Sequence, residues 1–389
     1  MQAKTVAASQ SEDDVGVVFI DSVFSVLTLA SVSLSGFLGP LKTGENQMKR
    51  PFISPVLLAG CTIAAGGYAS SAVANDTPEY DAELSGFEYA YPVERFAFSS
   101  QGQELQMAYL DVQPEEGNAN GRTVVLMHGK NFCAGTWEGT ISELHEAGYR
   151  VIAPDQIGFC KSTKPEHYQF SFHQLASNTQ ALLEELGVDN ATIMGHSMGG
   201  MLATRYALMY PEQTEQLVMV NPIGLEDWKA LGVPYQSIDD GYQAELGKNA
   251  EGIRAYQEAT YYVNTWEPEY DRWVEMQAGM YAGEDKELVA WNQALTSDMV
   301  FTQPVVYEFD ELAMPTLLLI GEKDNTAIGK ANAPTDIQET LGRYDVLGEQ
   351  AAEAIPQATL VEFPDLGHSP QIQEPERFHE ELLKGLSDL

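Results

Sequence analysis

Basic residues are scarce in this chain: 21 lysines and arginines stand against 57 aspartates and glutamates, a formal net charge of -36 over 389 residues. Such a balance repels nucleic acid, anionic membrane surfaces and polyanionic ligands. The carboxylates are scattered rather than blocked, so they read as a solvated surface. Cysteine is scarcer still, with three residues, Cys61, Cys133 and Cys160. Internal repeats and low-complexity tracts are also missing. What remains is 44% hydrophobic with ordinary aromatic content, enough to bury a sizeable core, so disorder is excluded.

Residues 1–74 differ from the rest. Lys49 and Arg50, just after Met48, precede an apolar stretch from Phe52 to Gly67, and Ala72-Val73-Ala74 follows. Basic residues, an apolar run and an A-x-A site in that order form a secretory signal, with cleavage after Ala74 and a polar mature chain starting at Asn75. Met48 reads as the natural start. Leu58-Ala59-Gly60-Cys61 competes, because it resembles a lipobox that would anchor the chain through a lipidated Cys61. Against it, the apolar run continues through Ile63, Ala64 and Ala65, where a polar tether is usual. Residues 15–38 are apolar enough to suggest an uncleaved anchor, but Asp21 and several serines interrupt them. The expectation is export to a periplasmic or extracellular location, with no transmembrane span in the mature form.

From Tyr91 onward, short β-branched runs alternate with segments of helical period, the pattern of a mostly parallel sheet with helices on both faces. Eight strands are predicted: Val93 to Phe98, Leu105 to Val112, Thr123 to Met127, Arg150 to Ala153, Thr192 to Met194, Leu217 to Val220, Thr316 to Ile320 and Thr359 to Phe363. Helices are predicted over Trp137 to Glu146, Phe172 to Leu186, Met198 to Met209 and Pro375 to Leu386. Between Pro222 and Leu312 no strand is evident, and from Trp228 to Trp291 eleven tyrosines and tryptophans crowd into helix-like segments. This divides the chain into a core of 75–221 and 313–389 and an inserted helical lid of 222–312. Most of the lid aromatics should be core, with spare apolar faces walling a pocket.

Gly195-His196-Ser197-Met198-Gly199 is a G-x-S-x-G pentapeptide, followed by Gly200, between a predicted strand and a predicted helix. That placement is the nucleophile elbow, in which a strained turn projects the serine hydroxyl and small neighbours avoid a clash. A serine hydroxyl needs a base at neutral pH. His368 is the candidate, because Asp365-Leu366-Gly367-His368 follows the last strand and the order serine, acid, histidine is kept. His196 should point away into the sheet, while His145, His167, His173 and His379 read as solvated or capping. Asp324, in the loop after Thr316 to Ile320, is the candidate acid that orients the imidazole. Glu322, Glu226 and Asp227 are the alternatives. For the oxyanion, the backbone N–H of Met198 is one donor and that of Lys130, in His128-Gly129-Lys130-Asn131-Phe132, is the second, with Asn131 as its alternative.

The set His128-Gly129, Asp155-Gln156-Ile157-Gly158, Gly195 to Gly200, Gly321 with Asp324, and Gly367-His368 resembles the lid-bearing α/β-hydrolase family of esterases and meta-cleavage-product hydrolases, over roughly residues 92 to 387. The resemblance implies the α/β-hydrolase fold, a lid and a Ser-His-Asp triad at these positions. Serine at the elbow separates the chain from epoxide hydrolases and haloalkane dehalogenases, which use aspartate there. Cys160 departs from the family's D-x-x-G-x-G-x-S stretch by occupying its second glycine position.

The leading expectation is hydrolysis of a carboxylic ester or related acyl compound through a covalent acyl-enzyme. Hydrolysis of a C–C bond in a vinylogous diketone uses the same triad, and a non-catalytic binding module of the same fold is the third reading. A small-molecule substrate is expected, of moderate size and with an apolar portion, since the lid shows no basic cluster. No metal or organic cofactor is implied, and nothing in the sequence marks an oligomeric state. In the exported form Cys133 and Cys160 follow neighbouring strands, so a bridge is open to them, as is a pair of small buried apolar side chains.

Overall fold

The computed structural model describes residues 77–387. The expected signal sequence with its expected cleavage after Ala74, the expected start at Met48, and Cys61 lie outside the described residues.

The eight strands are β1 (Glu94–Ser100), β2 (Gln103–Val112), β3 (Thr123–Met127), β4 (Arg150–Pro154), β5 (Ala191–His196), β6 (Thr214–Val220), β7 (Thr316–Gly321) and β8 (Ala358–Phe363). They form one sheet in the order β1-β2-β4-β3-β5-β6-β7-β8. β2 pairs antiparallel with β1 and β4, and every other pairing is parallel. The central strands are apolar on both sides because both faces are covered. Side chains alternate between two cores: Val125, Met127, Ile193, Leu318 and Ile320 face one way. Val124, Leu126, Met194, Leu317 and Leu319 face the other.

Helices α1 (Glu138–Glu146), α2 (Phe172–Glu185) and α3 (Met198–Met209) follow β3, β4 and β5. α2 starts at Ser171, whose side chain accepts from the Gln174 amide at 3.0 Å, and closes at Gly187 with φ of 64°. Between β6 and β7 the described residues contain no strand. Instead come α4 (Ile238–Leu246), α5 (Ala250–Thr260), α6 (Asp271–Ala282) and α7 (Lys286–Thr302). Of the insertion's aromatics Trp228, Tyr261, Tyr262, Tyr270, Trp273 and Tyr281 are buried, so core packing is indeed their main role.

After β7 come α8 (Thr335–Gln338) and α9 (Tyr344–Ala354), then β8, α10 (Pro370–Gln373) and α11 (Pro375–Ser387). α9 has no counterpart in the sequence reading. α1 and α11 cover one face of the sheet, through Ile141, Leu144, Phe378, Leu382 and Leu386. α2, α3 and α9 cover the other, through Leu175, Leu182, Met201, Tyr206, Tyr344 and Leu347. Among the described residues no helix is long and apolar enough to cross a membrane.

Candidate active site

Parallel strands end together, so the loops after β3, β5, β6, β7 and β8 meet along one edge of the sheet. The sharpest turn is at Ser197, between the last residue of β5 and the first of α3, with φ of 57° and ψ of -122°. The glycines make that turn sterically feasible. A Cβ on Gly195 would lie 2.0 Å from the Gly199 carbonyl oxygen, and one on Gly199 would lie 2.1 Å from that of Met127. The strained backbone is locked from outside the turn: the Ser197 amide donates to the Val220 carbonyl at 3.2 Å, and the Ile223 amide donates to the Ser197 carbonyl at 3.1 Å.

His368 and Asp324 meet in a buried pair, Nδ1 to Oδ2 at 2.6 Å. The carboxylate is held from two further directions. Asn221, just past β6, donates Nδ2 to Asp324 Oδ2 at 3.0 Å, and the Thr326 amide donates to Oδ1 at 2.9 Å. Asn221 also accepts from the Gly321 amide at 2.8 Å and donates to the Gly321 carbonyl at 3.1 Å, so it ties the end of β6 to that of β7. The alternative acids are engaged elsewhere. Glu226 accepts from the Trp228 indole and the Gly342 amide. Asp227 accepts from the Tyr307 hydroxyl and caps its own turn. Glu322 makes no side-chain hydrogen bond among the described residues.

The His368 ring is also packed from the insertion. Tyr261 stacks on it with centroids 5.1 Å apart, and stacks on Phe132 at the same separation. Thr260 accepts the His368 amide at 3.3 Å. Ser197 Oγ makes no hydrogen bond to His368 Nε2 among the described residues. This is the looser of the two links in the candidate triad, and catalytic hydrogen bonds of this kind commonly tighten only when substrate is bound.

His196 corrects the sequence reading. Its ring does not simply point into the sheet: it lies 4.7 Å from the Phe132 ring and 4.9 Å from that of His368, and Nε2 donates to the His368 carbonyl at 2.7 Å. Burial, then the neighbouring His368, pushes its pKa well below the histidine range, so it is a neutral prop. His379 is likewise neither solvated nor capping. It is buried against Thr140 at 3.0 Å, and burial lowers its pKa to about 4.

The loop from His128 to Cys133 runs beside Ser197. A Cβ on Gly129 would sit 2.8 Å from Ser197 Cβ, which puts the Lys130 amide next to the serine. Among the described residues neither the Lys130 nor the Met198 amide donates to an acceptor within the protein. Both remain free for a ligand oxygen. His128 anchors the loop from below, with Nε2 accepting from the Gln156 amide at 3.0 Å and Nδ1 donating to the Gly129 carbonyl at 2.8 Å. Asn131 does not stay idle: its Nδ2 donates to the Tyr261 hydroxyl at 2.9 Å and its Oδ1 accepts from Gln277 Nε2 at 3.0 Å. At the loop's end Cys133 is disulfide-bonded to Cys160. Cys160 has φ of 46°, so a cysteine takes the left-handed conformation suited to glycine. Cys133, Asp155 and Cys160 lie close enough to suggest a metal cluster, but the bridge uses both sulfurs and Asp155 accepts from Ala134, Tyr89 and Lys161.

One expectation about the insertion changes. Lys248, in the α4–α5 connection, and Lys130 both reach Glu245, at 2.7 and 2.9 Å, so basic groups do gather beside the site. Burial opposes a charge on Glu245, but Lys130 and Lys248 outweigh it and hold its pKa at about 2.

Residues 122–375 match the family model described as alpha/beta hydrolase fold. Among curated proteins, the 2-hydroxy-6-oxo-6-phenylhexa-2,4-dienoate hydrolase of Burkholderia cepacia is 37% identical over 108 residues, 27% of this chain and 38% of that protein. The chain spans 38 to 51% of the length of the first three curated relatives it matches. A probable hydrolytic enzyme of Pseudomonas aeruginosa has a solved structure that is 70% identical, with a TM-score of 0.79, covering 80% of this chain and 99% of that one. A thermophilic esterase from Thermogutta terrifontis, 21% identical with a TM-score of 0.55 over 76% of this chain and 98% of that one, shares the fold. With the strand order, the glycine-flanked elbow and the family match in agreement, this chain belongs to the alpha/beta hydrolase fold family.

Proposed function

We propose that the chain is a serine hydrolase that cleaves a carboxylic ester or related acyl compound through a covalent acyl-enzyme. The observation that carries this reading is the buried His368–Asp324 pair beside a strained, glycine-flanked Ser197. Ser197 Oγ attacks the carbonyl carbon as its proton passes to His368 Nε2, and the Met198 and Lys130 amides receive the oxyanion. Each such donor contributes roughly 3 kcal/mol to the rate. The imidazolium returns the proton to the leaving oxygen, and Asp324 balances its charge throughout. Water then repeats the sequence on the acyl-enzyme. The test is a burst experiment with p-nitrophenyl esters of graded acyl length. A stoichiometric burst followed by slower turnover supports the acyl-enzyme, and no p-nitrophenol release from any ester refutes ester hydrolysis.

C–C hydrolysis of a vinylogous diketone is kept as a second reading because two matched relatives are dienoate and dienedioate hydrolases. Dienone substrates run beside the esters separate the two. Export with cleavage after Ala74 completes the proposal, on the strength of Lys49-Arg50, the apolar run and the A-x-A site. N-terminal sequencing of protein outside the cytoplasm should find Asn75, and a lipidated Cys61 would replace this with an anchored form.

A further inference from the structure

Beside the His128–Cys133 loop is a cavity of about 540 Å³, walled by Lys130, Asn131, Lys248, Ile253, Tyr256 and Gln277 among others. Among the described residues no aspartate or glutamate lines it. In a chain with 57 acidic and 21 basic residues, a wall with two lysines and no carboxylate runs against composition. Among the described residues Glu245, behind that wall, is the single carboxylate paired with either ammonium group, and it is shared by both, with Tyr281 donating its hydroxyl to the same side chain. Lys130 Nζ has Gln293 as its other partner, at 3.1 Å, and that amide is neutral. Two cations against one anion leave one ammonium without a carboxylate of its own, beside a Lys130–Glu245 pair largely withdrawn from water, where charge imbalance is costly.

We infer that Lys130 and Lys248 form an anion subsite in this cavity, which takes a carboxylate carried by the substrate in addition to the bond that is cleaved. The inference rests on the hydrolase reading for the word substrate, but the subsite itself rests on the charge count. An anion there balances the second ammonium. Burial and the neighbouring Lys248 oppose the charge on Lys130, bringing its pKa down to about 8 despite Glu245, and a bound carboxylate would restore it. The subsite is also well placed, since Lys130 and Asn131 line the cavity while Gly129, one residue before them, touches Ser197. Lys248 is the adaptable member, with its side chain 30% exposed against 12% for Lys130.

Two measurements test this. The first compares kcat/KM for p-nitrophenyl butyrate and mono-p-nitrophenyl glutarate, which share a leaving group and differ in a terminal carboxylate. The wild type should favour the glutarate ester about 10-fold or more, and Lys248→Gln should reduce that ratio about 10-fold while Lys248→Arg keeps most of it. The second is calorimetric binding of free glutarate to the wild type and to Lys248→Gln, with a thermal melt confirming that each variant is folded. Glutarate binding that is lost in Lys248→Gln, without turnover of either ester, would uphold the subsite and overturn ester hydrolysis. Turnover with no carboxylate preference and no glutarate binding would overturn the subsite and leave the hydrolase reading standing. A glutarate preference unchanged in both Lys248 variants would also overturn it.

Discussion

Replacing Asn221 with alanine should uncouple Asp324 from its support while leaving every group of the triad in place. Asn221 is fully buried and makes three hydrogen bonds, two to the Gly321 backbone at 2.8 and 3.1 Å and one to Asp324 Oδ2 at 3.0 Å. Neutral bonds contribute about 1 kcal/mol each and a bond to a charged group about 2 kcal/mol, so roughly 4 kcal/mol is at stake. At about 2 °C per kcal/mol for a domain of this size, the melting temperature should fall by about 8 °C. Catalysis should suffer separately, because Oδ2 is also the atom that holds His368 Nδ1. Losing about 2 kcal/mol of that restraint corresponds to a 10- to 100-fold fall in kcat, with KM little changed. The assay is ester turnover well below the new melting temperature, alongside a thermal melt. Loss of stability with kcat within twofold of wild type would refute the reasoning, by showing that the Thr326 amide and the imidazole suffice to place the carboxylate.

Tyr261→Phe removes the hydroxyl that accepts from Asn131 but keeps the stack on His368, and should lower kcat about fivefold; Tyr261→Leu removes both and should cost more. Equal effects on an ester's kcat would assign everything to the hydrogen bond. Lys164 is buried with the carbonyls of Cys160 and Ser162 as its partners, and burial lowers its pKa to about 7. The unfolded chain therefore holds more protons between about pH 7 and 10.5, so this group adds stability as pH rises through that window, by about 2 kcal/mol between pH 7 and 9. Urea midpoints of Lys164→Met should rise less over that interval than those of the wild type, and parallel curves would contradict the assignment. Reducing the Cys133–Cys160 bridge, with a separation of 27 residues, should cost about 3.5 kcal/mol of stability and lower kcat by slackening the loop that carries the Lys130 amide. Activity unchanged by a reductant, with both thiols shown to be free, would separate the bridge from the loop.

Every strand and the elbow were legible because their signals are local. Short continuous β-branched and apolar runs such as Thr123 to Met127, glycines two residues either side of Ser197, and the chain order of Ser197, Asp324 and His368 need no knowledge of tertiary contacts. α9 was not legible. Its interior Gly348 weakens the helical signature, and the structure explains it: a Cβ there would press on Ile320 at 3.3 Å, so the glycine lets the helix approach the sheet. Asn221 and His196 escaped for another reason, since both act through partners distant in sequence and an amide at a strand end carries no motif of its own. The Lys130–Glu245–Lys248 cluster is similar. Its members belong to the core loop and to the insertion, and only folding assembles them.

The central claim is that Ser197 is an activated nucleophile, and a fluorophosphonate probe measures that most directly, because phosphonylation requires an ionisable serine beside a working base. The wild type should label at one site, located at Ser197 by peptide mapping. Ser197→Ala should not label, and His368→Ala should label slower by several orders of magnitude. Failure of the folded wild type to label, or labelling that persists at the wild-type rate in His368→Ala, would contradict the account.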